Sequence, residues 1–183
     1  DYLCAEFCDL AVISDDPSRR RVTEILRQTR PDIVLTAAPA DYMCDHEAAS
    51  RLVRDACFAA PVRNYATGAE EPAAALPGVP HLYYMNPLEN LGPDGETILP
   101  HFVVDISDVM ETKTAMLASH ASQREWLLKH HGMDDYILSM QRWSAIAGKQ
   151  FGIPYGEGFR IYRGHAYPQT PALEELLEGL IHR

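Results

Sequence analysis

No run of apolar residues approaches the ~20 that a membrane-spanning helix needs. No secretory leader pattern opens the chain, and no initiator methionine stands at its start, which reads Asp1-Tyr2-Leu3. A Gly-rich phosphate loop is also missing, which removes the strongest sequence argument for a nucleotide site. The four cysteines (Cys4, Cys8, Cys44 and Cys57) show no Cys-x-x-Cys spacing. Neither a disulfide framework nor a metal knuckle is expected from them, and reduced thiols point to a cytoplasmic setting. Basic residues are the minority, 16 against 26 acidic, giving a formal net charge of −10. A surface of that sign repels phosphate backbones and anionic membranes, so neither nucleic acid nor membrane is an expected partner.

What is present is ordinary globular composition, 46% hydrophobic and 23% charged, in 183 residues that suffice for one sizeable core. "DDPSRRRVTEILRQTRP" predicts a helix with Asp16 as N-cap, Pro17 at its first position and Pro31 at its end. Ile33, Val34 and Leu35 are consecutive apolar residues, the pattern of a strand buried on both faces in a parallel sheet. A second helix is expected from near Asp45, with Leu52, Val53 and Ala56 inward. Residues 60–80, rich in Pro, Ala and Gly, read as a long excursion that borders a site or moves. "HLYYM" and "HFVVDIS" are two further strands around a turn on Gly92-Pro93-Asp94-Gly95. From Ser107 the chain reads as helix to Gly132 and again from Asp134 to Gly152, with a short amphipathic helix in "ALEELLEGLIHR". The expected fold is α/β: a Rossmann-like, mainly parallel sheet with helices on both faces.

Such folds bind ligands beyond the carboxyl ends of their strands. "APADYMCDH" leaves the carboxyl end of the Ile33–Ala37 strand, so it draws notice first. Asp45 reads simply as a helix N-cap and His46 as a first-turn surface residue. His46 gains nothing from that position when protonated, but a neutral imidazole there suits a divalent metal.

The phrase "RPDIVLTAAPADYMCDHEAASRLVRDA" resembles the second motif region of the PIG-L/LmbE-like de-N-acetylases, zinc-dependent enzymes that deacetylate N-acetylglucosaminyl and related amide substrates. "HLYYMNP", "FVVDISDVMETKTAMLASHASQ" and "GIPYGEGFR" are similar to later family stretches, in family order. The resemblance covers nearly all of residues 1–183 as a single domain of that type, without its first strand–helix units. The family's His-Pro-Asp-Asp element, which supplies a zinc-ligating histidine and aspartate and the aspartate base, is not in this sequence and is expected upstream of Asp1.

The resemblance implies a zinc hydrolase acting on a small-molecule amide or amino-sugar conjugate. Zinc would polarise the amide carbonyl and lower the pKa of bound water. His46 matches a zinc-binding histidine, and the remaining ligands are expected upstream. Asp45 matches an aspartate that supports the site by hydrogen bonding. Met43 stands where the family has a histidine that stabilises the oxyanion; a thioether has no N–H to donate. His120, in "SHASQ", is a candidate for that role or a partner for a helix C-terminus. Tyr42, Met43 and Glu157 are candidates to touch substrate; the simpler readings of Tyr42 and Glu157 are a packed loop tyrosine and a turn cap. A homo-oligomer is compatible with the resemblance. The alternative is a metal-free, inactive binding or scaffolding domain of the same fold.

Overall fold

The structure, a computed structural model, describes residues 2–131 and 136–183. The chain divides into two compact units, one formed by residues up to Leu99 together with Arg160–Leu176, the other by Pro100–Phe159 and Leu177–Arg183.

In the first unit, helix α1 spans Asp16–Thr29. Its N-cap is Asp15, whose Oδ1 accepts from the Ser18 N–H at 2.9 Å, one residue before the expected Asp16. Asp16 instead lies inside the first turn, where it pairs with Arg19 and Arg20. Arg30 closes the helix in the left-handed region (φ 51) and donates its N–H to the Leu26 carbonyl. Strand β1, Ile33–Thr36, runs parallel to β2, His81–Met85, with Ile33 opposite His81 and Thr36 opposite Tyr84. Helix α2, Cys44–Ala59, follows β1 and buries Leu52, Ala56 and Cys57. Leu26, Ala56, Cys57, Ala60, Leu76, Leu82, Tyr84 and Tyr167 form the core of this unit. Burial on both faces does not hold for β1: Leu35 is 46% exposed. Among the described residues β1 pairs only with β2, so it is an edge strand with one covered face.

The excursion 60–80 is fastened to α1. Arg27 donates through Nε to the Ala60 carbonyl (3.0 Å) and through Nη2 to that of Val62 (2.8 Å). Buried Glu24 accepts from the Thr67 hydroxyl at 2.6 Å and the Ala73 N–H at 2.8 Å. Burial pushes the Glu24 carboxyl up, but bonds from Thr67, Ala73 and Gln28 outweigh it and hold it below its ordinary value.

In the second unit, β3, Phe102–Asp105, is antiparallel both to β4, Gly156–Ile161, and to β5, Ile181–His182. The last two residues of β4 belong to the first unit. The strands are therefore of mixed sense, which corrects the mainly parallel expectation. Two reasons stand out. A strand forms over "GEGFRI" despite two glycines, because Gly156 lets it approach its neighbours closely: a Cβ there would meet Val103 Cγ1 at 2.5 Å and the Gly148 backbone at 3.2–3.3 Å. And the tail does not stay helical: α6, Ala172–Leu176, is followed by Gly179 at φ 92 and then β5.

A 3₁₀ turn at Ser107–Val109 leads into α3, Met110–Ala118, then α4, Ala121–His131, and α5, Tyr136–Lys149. The single helix expected from Ser107 to Gly132 is broken at Ser119–His120. There the Ser119 hydroxyl donates back to the Ala115 carbonyl (3.0 Å) and the His120 N–H makes an i→i−3 bond to Leu117. The Tyr136 hydroxyl takes the same Leu117 carbonyl at 2.9 Å. Gly152, at φ 70, ends the α5 segment as expected; the expected stop at Gly132 and cap at Asp134 lie outside the described residues. Among the described residues no helix is long and apolar enough to cross a membrane.

Candidate functional site

β1 delivers the chain at its carboxyl end to the loop 37–43, and α2 begins directly after it. Met43 is the N-cap by backbone geometry (φ −112, ψ 127) and lends α2 no side-chain hydrogen bond. Its carbonyl accepts from the His46 N–H at 3.1 Å and the Glu47 N–H at 3.3 Å. The capping work falls to Asp41, which the sequence reading passed over. Its Oδ1 accepts from the Met43 N–H at 3.1 Å, an Asx turn that fixes the loop into the helix. The same oxygen lies 2.9 Å from His46 Nδ1. From the helix side, Glu47 Oε1 accepts the Asp41 N–H at 3.0 Å. Asp41, His46 and Glu47 therefore form one knot across the loop–helix junction.

Burial differs within the knot in a way that matters chemically. The Asp41 side chain is 6% exposed and that of His46 42%, so the carboxylate is enclosed while the imidazole reaches solvent. The other ring nitrogen, Nε2, has no hydrogen-bond partner among the described residues. Exposed Tyr42 stands edge-on to the imidazole, with ring centroids 5.7 Å apart. A cleft of about 690 Å³ runs beside the first turns of α2, lined by Ser14, Pro39, Cys44, Glu47, Arg51 and Arg54 among others.

Asp45 is in the first turn and is not the N-cap. Its Oδ2 accepts from the Leu10 N–H at 2.6 Å and its Oδ1 from the Val12 N–H at 3.2 Å. It ties residues 10–12 to α2 and does not contact the His46 ring. Tyr42, Met43, Asp45 and His46 are thus together in the first unit. His120 and Glu157 belong to the second. His120 is exposed at the α3–α4 break, its carbonyl accepting from the Arg124 N–H. Glu157, on β4, is ion-paired with Lys113, which also donates to buried Ser144 at 3.3 Å.

The knot suits one end of a metal site. A ligating histidine ordinarily donates its second ring N–H to a carboxylate, a backbone carbonyl or water, which orients the ring and leaves the first nitrogen outward. His46, with Asp41 on Nδ1 and an unpartnered Nε2, fits that part. Among the described residues no three His, Cys, Asp or Glu side chains gather as a full ligand set. His46 offers one outward-facing ring nitrogen, and the described residues do not complete a ligand set around it.

No family model matches the sequence. The structure is similar to the conserved protein TT1542 of Thermus thermophilus, with TM-score 0.64 and 24% identity over 90% of this chain and 66% of that one. It is similar to N,N'-diacetylchitobiose deacetylase of Pyrococcus horikoshii, solved with its inhibitor MPG, with TM-score 0.63 and 23% identity over 93% and 58% of the two chains. GalB, the 4-carboxy-2-hydroxymuconate hydratase of Pseudomonas putida, matches with TM-score 0.57 and 23% identity over 85% and 62%. These likenesses show the fold. The chain spans 58–66% of the length of these solved proteins.

Proposed function

We propose that the chain carries part of the active site of a zinc-dependent deacetylase that releases an acyl group from an N-acetylglucosaminyl-type or related amide. The observation that carries this reading is the Asp41–His46 contact at the carboxyl end of β1, with Nε2 free on a half-exposed ring. A fold shared with a deacetylase and a hydratase does not by itself choose a reaction; the deacetylase reading is supported by the resemblance around "DYMCDH" together with a histidine oriented as a metal ligand would be. Bound zinc would polarise the scissile carbonyl and lower the pKa of a coordinated water.

The residues of this chain have the following parts. His46 supplies one zinc ligand through Nε2, the remaining ligands coming from outside the described residues. Asp45 holds residues 10–12 against α2 beside that ligand. Tyr42 covers one edge of the imidazole and can meet the substrate from the solvent side. Met43 offers no side-chain donor, so its place in the site is steric. The cleft along α2, with Arg51 and Arg54, is where the body of a polar substrate would lie.

A metal-free binding domain of the same fold is the second reading, and Met43 in the position of the family's histidine favours it. One experiment separates the two. The natural polypeptide is assayed for acetate release from N-acetylglucosamine conjugates, then treated with 1,10-phenanthroline and reloaded with zinc. Release that is lost on chelation and returns with zinc supports the deacetylase reading. No release from any acylated amine, or release indifferent to chelation, overturns it.

A further inference from the structure

We infer that Asp41 is the positioning residue of His46, holding the neutral imidazole as its Nδ1–H tautomer with the Nε2 lone pair outward, and that Glu47 braces Asp41 for this task. The significance for metal binding rests on the reading above; the tautomer itself does not.

An ionised carboxylate only accepts, so at 2.9 Å from Asp41 Oδ1 the Nδ1 atom must carry the hydrogen. Neutral histidine has one ring hydrogen, and the bond made by one nitrogen decides the state of the other. Nε2 is thereby left with its lone pair, and it has no partner among the described residues.

Asp41 can do this only because it is itself fixed. Oδ1 is shared between the Met43 N–H (3.1 Å) and the His46 ring, which sets the carboxylate's rotation. The Asp41 N–H donates to Glu47 Oε1 (3.0 Å), which sets the backbone that carries it. Asp41 is buried, so water competes poorly for its oxygens. Asp45, the adjacent carboxylate, is directed elsewhere: its oxygens accept from the Leu10 and Val12 N–H groups.

The test is nitrogen-15 NMR of the labelled protein, without added metal, at a pH where the imidazoles are neutral. His46 is identified by the signals lost in His46→Gln. The expected result is a protonated-type Nδ1 and an unprotonated-type Nε2 for His46. Asp41→Ala should return the ring to a mixture dominated by Nε2–H. Asp41→Ser keeps a hydroxyl to cap the Met43 N–H but does not reach the ring, so it should give the same change in a chain whose loop is retained. Glu47→Gln preserves an acceptor and should leave the tautomer unchanged, whereas Glu47→Ala should mix it. A wild-type His46 in the Nε2–H form, or an Nδ1–H form that survives both Asp41 variants, overturns the inference.

In the natural polypeptide, Asp41→Ser should also weaken zinc binding by ~10–100-fold, the usual loss when a carboxylate behind a histidine ligand is removed. The two claims fail separately. A confirmed tautomer with metal content indifferent to His46→Gln removes the zinc reading and leaves the tautomer lock. Loss of metal in His46→Gln with the wrong tautomer does the reverse.

Discussion

Asp45 Oδ2 receives the backbone N–H of Leu10 at 2.6 Å across 35 positions of sequence, and its Oδ1 receives that of Val12 at 3.2 Å. A carboxylate next to the candidate ligand is thus occupied in holding residues 10–12, a stretch without helix or strand, against α2. Asp45→Ala should free those two amides. Their hydrogen exchange should speed up at least tenfold relative to wild type, with a loss of ~1 kcal/mol in overall stability. Amide exchange at Leu10 and Val12 unaffected by the substitution would show that packing alone holds the segment.

Glu24 makes a pH prediction. Its folded pKa lies below the ordinary 4.5. Stability from this group is therefore fully present above the unfolded value and is lost as pH falls through the folded one. Glu24→Gln should lower Tm at pH 7, and the gap from wild type should shrink as pH falls below about 4.5. A gap constant from pH 7 to 3 would contradict it. The same variant should make residues 67–73 more susceptible to proteolysis, since Thr67 and Ala73 lose a charged acceptor.

Gly156→Ala should destabilise the second unit by about 1–3 kcal/mol, the usual range for overpacking. The added methyl would stand 2.5 Å from Val103 Cγ1. Urea melts followed by tryptophan fluorescence read this directly, because Trp126 and Trp143 both lie in that unit. A variant as stable as wild type would show that β3 and β4 have room to separate.

Cys57 is fully buried, and burial pushes its thiol up to about 12. Cys4, Cys8 and Cys44 are exposed. Native protein should therefore titrate three thiols with a water-soluble disulfide reagent, and the fourth only after denaturant is added. Four fast thiols in the native state would place Cys57 outside the core.

Much of the first unit was legible in the sequence because its signals are local. Pro17 and the acidic pair Asp15-Asp16 mark a helix start to within one residue, and Ile33-Val34-Leu35 mark a strand. The second unit was less so. "GEGFRI" carries two glycines and two charges, a poor strand by composition, and becomes one because Gly156 permits a close approach that only the tertiary neighbours reveal. The α3–α4 break depends on a hydroxyl bonding back to a carbonyl, which a helical pattern does not show.

The candidate site divides the same way. His46 was visible from its place at a helix start after an apolar strand. Asp41 was not, since it stands in the loop, outside any helical register with His46, and Asp45 offered a nearer carboxylate. The usable signal was an acidic residue two before the helix cap position, with Glu47 able to reach back to its N–H; that pattern marks an Asx turn whose free oxygen can meet a first-turn side chain.

Metal content tests most directly whether His46 is a metal ligand. Wild type and His46→Ala forms of the natural polypeptide are purified in parallel, dialysed against metal-free buffer and analysed for zinc by atomic emission. The account predicts close to one equivalent of zinc in wild type and far less than one in His46→Ala, with acetate release lost in step. Equal zinc in the two proteins would contradict it and return His46 to a histidine at the start of a helix.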